Sequence, residues 1–275
     1  MTAAPFLQIE RVSKVFEATD RRHRPVTVID DVSMSLAAGE FAVYLGPSGC
    51  GKTTLMRIVG GLEQATAGAV TLGGAPVTGP DRRKGMVFQA YTSFPWLTVL
   101  DNIRFGLKYR TDLGRAEKEA IARRYLDMVG LADFAGFYVN RISGGMRQRV
   151  AIARTLAAGP DILLMDEPFG ALDAQTREFL QYQLLDIAKA EKKTVIFVTH
   201  DVEEAVFLAD RIFMFSARPA TIIEEVRVAD RIAGGRTLET KESEDFFHLR
   251  NHVLELMREQ ARRTEEMFRS NGEPR

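Results

Sequence analysis

The sequence predicts an α/β fold: a mostly parallel sheet with its helices, a segment of strands and turns ahead of it and a helical stretch within the chain. Three observations carry this. The runs FAVYL, ILLM, TVIFVT and RIFMF are short, continuous and apolar, as strands buried on both faces are. AQTREFLQYQLLDIAKA reads as a helix between the second and third, and strand, helix, strand in this order implies parallel pairing. Ahead of them, FLQIERV and VTVIDDVSMSL alternate apolar and polar side chains, while residues 98–158 carry helical period and composition.

In chain order, FLQIERV alternates, and VTVIDDVSMSL does so again at Val28, Val32, Met34 and Leu36, so each predicts a strand with one buried face. DRRHRP between them reads as a loop. GEFAVYLG follows as a buried strand, then TTLMRIVGGLE as a helix stopped near Gly60 and Gly61. GAVTLGGAPVTGPDRRKGMVFQ returns to strands and Gly/Pro turns. The helical region holds DNIRFGLKYR, RAEKEAIARRYLDMVGL and GGMRQRVAIARTLA, and the remaining apolar runs fall at 162–165, 194–199 and 211–215. SEDFFHLRNHVLELMREQARR has an N-cap candidate in Ser243, acids in its first turn and a stripe of Phe246, Leu249, Val253 and Leu256, which predicts a helical tail.

Composition bounds the function. The chain has 275 residues, 45% hydrophobic, with 37 basic and 37 acidic side chains. Zero net charge argues against a dedicated nucleic-acid binder. Cys50 is the single cysteine, so no intrachain disulfide forms, and a lone thiol fits a reducing cytosol. The N-terminal residues lack the pattern of a signal peptide, and no apolar stretch is long enough to span a membrane. Any membrane role is therefore expected to run through a partner.

GPSGCGKTT, directly after FAVYL, satisfies the spacing G-x-x-x-x-G-K-[ST] with a buried strand before it and a helix after. The loop comprises Gly46, Pro47, Ser48, Gly49, Cys50, Gly51, Lys52, Thr53 and Thr54. Its glycines free amides to line a nest, and the helix start adds positive potential, so the loop suits an anion with several oxygens. Lys52 is expected to reach β- and γ-phosphates and Thr53 to coordinate Mg²⁺. ILLMDEP places Asp166 and Glu167 at the exit of a buried strand, where a parallel sheet presents its ligand crevice. Asp166 suits Mg²⁺, and Glu167 suits accepting a proton from an attacking water. Upstream, ISGGMRQRVAIARTLA offers Ser143 as an N-cap, with Gly144 and Gly145 leaving amides bare at a second helix start. Met146, Val150, Ala153 and Ala157 form an apolar stripe along that helix. Two anion-seeking helix starts in one chain make sense if they meet one phosphate from different subunits.

GPSGCGKT, VFQ, ISGGM, ILLMDEP, ALD and VTHD, in this order, resemble the ATP-binding cassette (ABC) family over residues 6–228. The resemblance implies a P-loop NTPase core with an N-terminal antiparallel β subdomain and an α-helical subdomain at about 91–158, within a nucleotide-binding domain of residues 1–237; residues 238–275 form the tail. It implies Phe16 as the aromatic that stacks on adenine, against the alternative of a strand core residue. Gln89 would contact Mg²⁺ and the attacking water, Asp173 would line the subunit boundary, and His200 would contact the γ-phosphate. His23, His248 and His252 read as surface residues. The signature departs from the usual LSGGQ at Ile142 and Met146, the latter removing an amide. ATP and Mg²⁺ are the implied cofactors, and a homodimer with two shared ATP sites is the implied assembly.

A single cassette with no membrane span resembles the ATPase subunit of importers. Such a subunit sits at the cytoplasmic face of the inner membrane on integral-membrane permease subunits, served indirectly by an extracytoplasmic solute-binding protein. Tyr91, Phe94, Pro95 and Trp96 in FQAYTSFPWLTVLDN are either a local core cluster or a groove for a permease helix. FPWLT and SARPATIIEE resemble the nitrate, sulfonate and taurine importers. Chromosome and DNA-repair cassettes carry a coiled-coil insertion between phosphate loop and signature, whereas here Lys52 and Ser143 are 91 positions apart without sustained heptads. A structural or regulatory cassette at a membrane complex stays open as the alternative.

Overall fold

The computed structural model describes residues 4–17, 24–89, 92–232 and 236–271. They form two compact units, one of residues 1–80 with 194–275 and the other of residues 81–193. His23 and Tyr91 lie outside the described residues.

The first unit opens with β1 (Leu7–Phe16) and β2 (Val26–Leu36), paired antiparallel with Leu7 opposite Leu36 and Phe16 opposite Val26. The alternation of the sequence slips once in β1 and twice in β2, where Val28 and Ile29 are consecutive and both buried. Ile9 and Val12 are both buried although three positions apart, as are Ile29 and Val32. Register shifts between these residues, together with positive φ at Arg11 (49°) and Asp31 (47°), put the extra residue of each strand outside the ladder. These shifts keep Ile9, Val12, Ile29 and Val32 all buried. After β3 (Phe41–Leu45) come α1 (Lys52–Gly60), β4 (Ala67–Leu72) and β5 (Ala75–Pro76), and the antiparallel sheet has the order β2-β1-β4-β5.

All five residues of β3 are buried, as a continuous apolar run demands of a central strand. The chain returns to this unit as β8 (Thr194–Thr199), α6 (Val202–Leu208), β9 (Arg211–Phe215) and β10 (Ile222–Arg227). β3 lies parallel to both β8 and β9, and β10 closes the edge antiparallel to β9. The parallel ladders put Leu45 level with Thr199, so the phosphate loop and His200 leave the same end of neighbouring strands. α7 (Leu238–Lys241) and α8 (Glu244–Asn271) follow. Ser243 caps α8 as expected, accepting from the Phe246 amide at 3.2 Å. Phe246, Leu249 and Val253 are buried and Leu256 is half-buried, with α8 packed against α6.

The second unit contains β6 (Lys84–Val87), α2 (Val99–Gly106), α3 (Arg115–Met128), α4 (Gly144–Ala157), β7 (Ile162–Asp166) and α5 (Ala174–Ala190). β6 and β7 are parallel, Val87 opposite Met165, so Gln89 and Glu167 both leave carboxyl ends of strands. α4 packs on β6, α2 and α3, and its buried face is wider than the predicted stripe, taking in Gln148, Ile152, Thr155 and Leu156 as well. Gly106 permits the close crossing of α2 and α4: a Cβ there would lie 2.3 Å from the Arg154 carbonyl oxygen. The predicted helical stretch of 98–158 is interrupted by 3₁₀ turns at Ala132–Phe134 and Val139–Arg141.

Candidate functional site: a phosphate loop and a carboxylate strand end

Pro47 to Cys50 forms a tight turn closed by the Cys50 amide on the Pro47 carbonyl at 3.4 Å, with Gly49 at φ 72°. Positive φ at the third turn position calls for glycine. Gly51 then takes φ 130°, and a Cβ there would stand 2.9 Å from the Val28 carbonyl oxygen. Gly46 is confined from the other side, by the Phe215 carbonyl oxygen at 2.9 Å from its hypothetical Cβ. α1 starts at Lys52 with neither a capping side chain nor an acid in its first turn, so its amides are left for another acceptor.

Lys52 is buried, and its ammonium donates to the carbonyls of Gly46 at 2.7 Å and Pro47 at 2.8 Å and lies 3.7 Å from Cys50 Sγ. The lysine is therefore already aimed across the loop that was expected to hold phosphate. His200 is exposed at the end of β8. The turn behind it is fixed by Thr199, whose hydroxyl donates to Glu204 at 2.7 Å and accepts from the Asp201 amide at 3.0 Å. Asp201 in turn caps α6 by accepting from the Glu203 and Glu204 amides. Phe16 ends β1 with its ring 40% exposed, so it is not a core residue. Lys14, held by Glu63 at 2.7 Å, stands 4.8 Å from the ring centroid.

In the second unit, Asp166 is buried at the last position of β7, and Glu167 follows at φ 45°. A glutamate before proline ordinarily takes an extended backbone, so this left-handed geometry is strained and re-aims its side chain. Glu167 Oε2 accepts from the Gln89 amide at 3.2 Å, which brings together two residues 78 positions apart. Gln148 of α4 donates to the Phe88 carbonyl at 3.3 Å and so ties the signature helix to the Gln89 segment. Sequence reasoning missed that link, because a buried glutamine inside a helix carries no pattern of its own. Ser143 caps α4, accepting from the Met146 amide at 3.2 Å, and leaves Gly144 and Gly145 at the helix start. Asp173 caps α5 by accepting from the Thr176 amide at 2.9 Å, and that bond is the leading cause of a pKa held below the ordinary carboxylate value.

Beside this cluster, Asn102 is fully buried and pins the FPWLT segment: it accepts from the Phe94 amide at 2.8 Å and donates to the Phe94 carbonyl at 3.1 Å. Phe94 packs on Phe105 and under Arg154, while Trp96 remains 69% exposed. Phe94 thus belongs to the local packing, while Trp96, 5.5 Å from it between ring centroids, faces outward.

A family model described as ABC transporter matches residues 29–170, just over half of the chain. The chain belongs to the ABC transporter family. The nitrate import ATP-binding protein of Synechocystis sp. is 43% identical to it over 94% of this chain and 97% of its own length. The taurine import ATP-binding protein of Burkholderia pseudomallei is 45% identical over 91% and 96%. A dimeric ATP-binding cassette solved in a post-hydrolysis state with ADP and Pi superposes with a TM-score of 0.73 at 32% identity, covering 81% of this chain and 98% of that one. This ABC protein has the cassette fold the sequence predicts, binds ATP and is an ATPase. Among the described residues no helix is long and apolar enough to cross a membrane.

Proposed function

We propose that this ABC ATPase is the energising subunit of an importer for nitrate-, sulfonate- or taurine-type solutes, working as a homodimer on integral-membrane permease subunits at the cytoplasmic face of the inner membrane. The observation that carries the reading is the near end-to-end match, at 43% and 45% identity, with nitrate and taurine import ATP-binding proteins. An extracytoplasmic solute-binding protein would select the solute. Trp96 and its neighbours would receive a short permease helix. The cassette would span residues 1–237, with the tail as a separate helical element.

Within this reading Gly46 to Thr54 hold the β- and γ-phosphates, with Lys52 exchanging loop carbonyls for phosphate oxygens. Phe16 stacks on adenine, its exposed ring supporting that role. Thr53, Gln89 and Asp166 supply hard oxygen donors of the type Mg²⁺ takes, and the ion would neutralise charge developing on the phosphates. Glu167 accepts the proton of the attacking water. The bond from Gln89 keeps its carboxylate oriented, and His200 positions the water and the γ-phosphate. Ser143, Gly144 and Gly145 close on the nucleotide held by the partner subunit, and Asp173 lines that boundary.

The test is Glu167→Gln in the full chain. The variant is expected to lose roughly 10²–10⁴-fold in kcat while binding Mg-ATP as before, and to accumulate as an ATP-bound dimer. Near-normal turnover removes Glu167 as the base. Affinity purification from solubilised membranes is expected to bring down polytopic permease subunits; recovery of none would overturn the importer reading.

A further inference from the structure

The segment Ser216 to Thr221, read in the sequence only for its likeness to importers, is built against the phosphate loop. The Ser216 amide donates to the Thr221 carbonyl at 2.9 Å, and the Ser216 hydroxyl accepts from the Thr221 amide at 2.9 Å, closing a small ring. Ala220 is bridged to Ile29 of β2: its amide donates to the Val28 carbonyl at 2.8 Å, and its carbonyl accepts from the Asp30 amide at 3.0 Å. The loop is therefore anchored on both sides, with Arg218 at its tip. The Arg218 guanidinium donates to the Gly49 carbonyl at 2.8 Å, and among the described residues it pairs with no carboxylate.

We infer that Arg218 is a positioning residue of the phosphate loop, holding the Pro47–Cys50 turn in its nucleotide-receiving shape through the Gly49 carbonyl. The inference rests on the assignment of this loop to ATP. Two cations brace the turn from within the same unit. Lys52 occupies the Gly46 and Pro47 carbonyls, and Arg218 occupies that of Gly49. When phosphate oxygens draw the Lys52 ammonium, the first two carbonyls lose a donor. The Arg218 bond does not depend on that exchange, because it grips a different carbonyl from a separately anchored loop. It therefore keeps Gly49 in its positive-φ conformation while Lys52 changes partners. A charge-assisted bond of this kind also leaves the positive charge next to an anion site, where it adds attraction.

The experiment compares Arg218→Ala, Arg218→Lys and Ser216→Ala in the full chain. It measures Mg-ADP affinity, Mg-ATP affinity in the Glu167→Gln background, kcat, and the urea midpoint. Arg218→Ala is expected to weaken both nucleotides about three- to ten-fold, the loss matching one hydrogen bond, with kcat within roughly two-fold and the urea midpoint unchanged. Arg218→Lys, which keeps a donor and the charge, is expected to recover much of the affinity. Ser216→Ala loosens the loop beneath the arginine, so its smaller loss should not add to that of Arg218→Ala. Wild-type affinity in Arg218→Ala overturns the inference, and so does a loss shared equally by kcat and the urea midpoint. Lys52→Ala separates the two levels. If it too leaves affinity unchanged, the loop assignment itself fails; if it alone abolishes binding, only the role of Arg218 falls.

Discussion

Gly51→Ala tests the geometry of the phosphate loop most directly. Gly51 sits at φ 130° and ψ 1°, a region that side-chain-bearing residues enter at about 1–3 kcal/mol. Its added methyl would lie 2.9 Å from the Val28 carbonyl oxygen, 3.0 Å from Val28 Cγ1 and 3.3 Å from Ala220 Cβ. That oxygen has little freedom to move, because it accepts the Ala220 amide that ties the 216–221 segment to β2. Overpacking against such a fixed atom costs about 1–3 kcal/mol more. Gly74→Ala is the internal control: its φ of 77° is also positive, but nothing lies within 4 Å of the added methyl. It should lose only the backbone share, about 1–2 kcal/mol. Urea denaturation with a common m-value is the assay. Gly51→Ala is expected to be the more destabilised by about 1–3 kcal/mol and to bind Mg-ATP more weakly. Equal losses for the two variants would show that the contact with Val28 does not constrain the loop, and the reasoning would fall.

Trp96→Ala removes a side chain that is 69% exposed, so stability should change by no more than about 0.5 kcal/mol while permease association is lost; retained association refutes the docking role. The folded pKa of Asp173 is below its ordinary value of 3.8, so its stabilising contribution is present above that pH and disappears as pH falls through the lower folded value. Stability curves of wild type and Asp173→Asn measured down through that window should therefore converge toward the acid end, and parallel curves would contradict the capping account.

The central strands were legible because burial on both faces leaves nothing but apolar residues: β3, β7, β8 and β9 coincide with the four runs read from the sequence. α6 and β10 were not. Val202–Leu208 is only seven residues long, too short to display a helical period, and Ile222–Arg227 is an edge strand with two glutamates on it. At the site, glycine spacing between a buried strand and a helix pointed to the phosphate loop, because glycines at fixed intervals answer to local backbone geometry. The left-handed backbone of Glu167 could not be read, since the proline after it argues for an extended one. The Arg218 bond to Gly49 joins residues 169 positions apart, and no local pattern announces a partner at that distance. Asp173 was read for its place in ALD, and its capping of α5 was not read from the sequence.

The grip of Lys52 on the Gly46 and Pro47 carbonyls sets a threshold for what the loop will capture. An anion that draws the ammonium away must offer it acceptors in place of these two carbonyls. If the loop holds ATP as proposed, phosphate oxygens would make that exchange while the uncapped amides of α1 donate to other oxygens of the same phosphate chain. The ammonium is thus held inside the loop, buried and hydrogen-bonded, before any anion arrives.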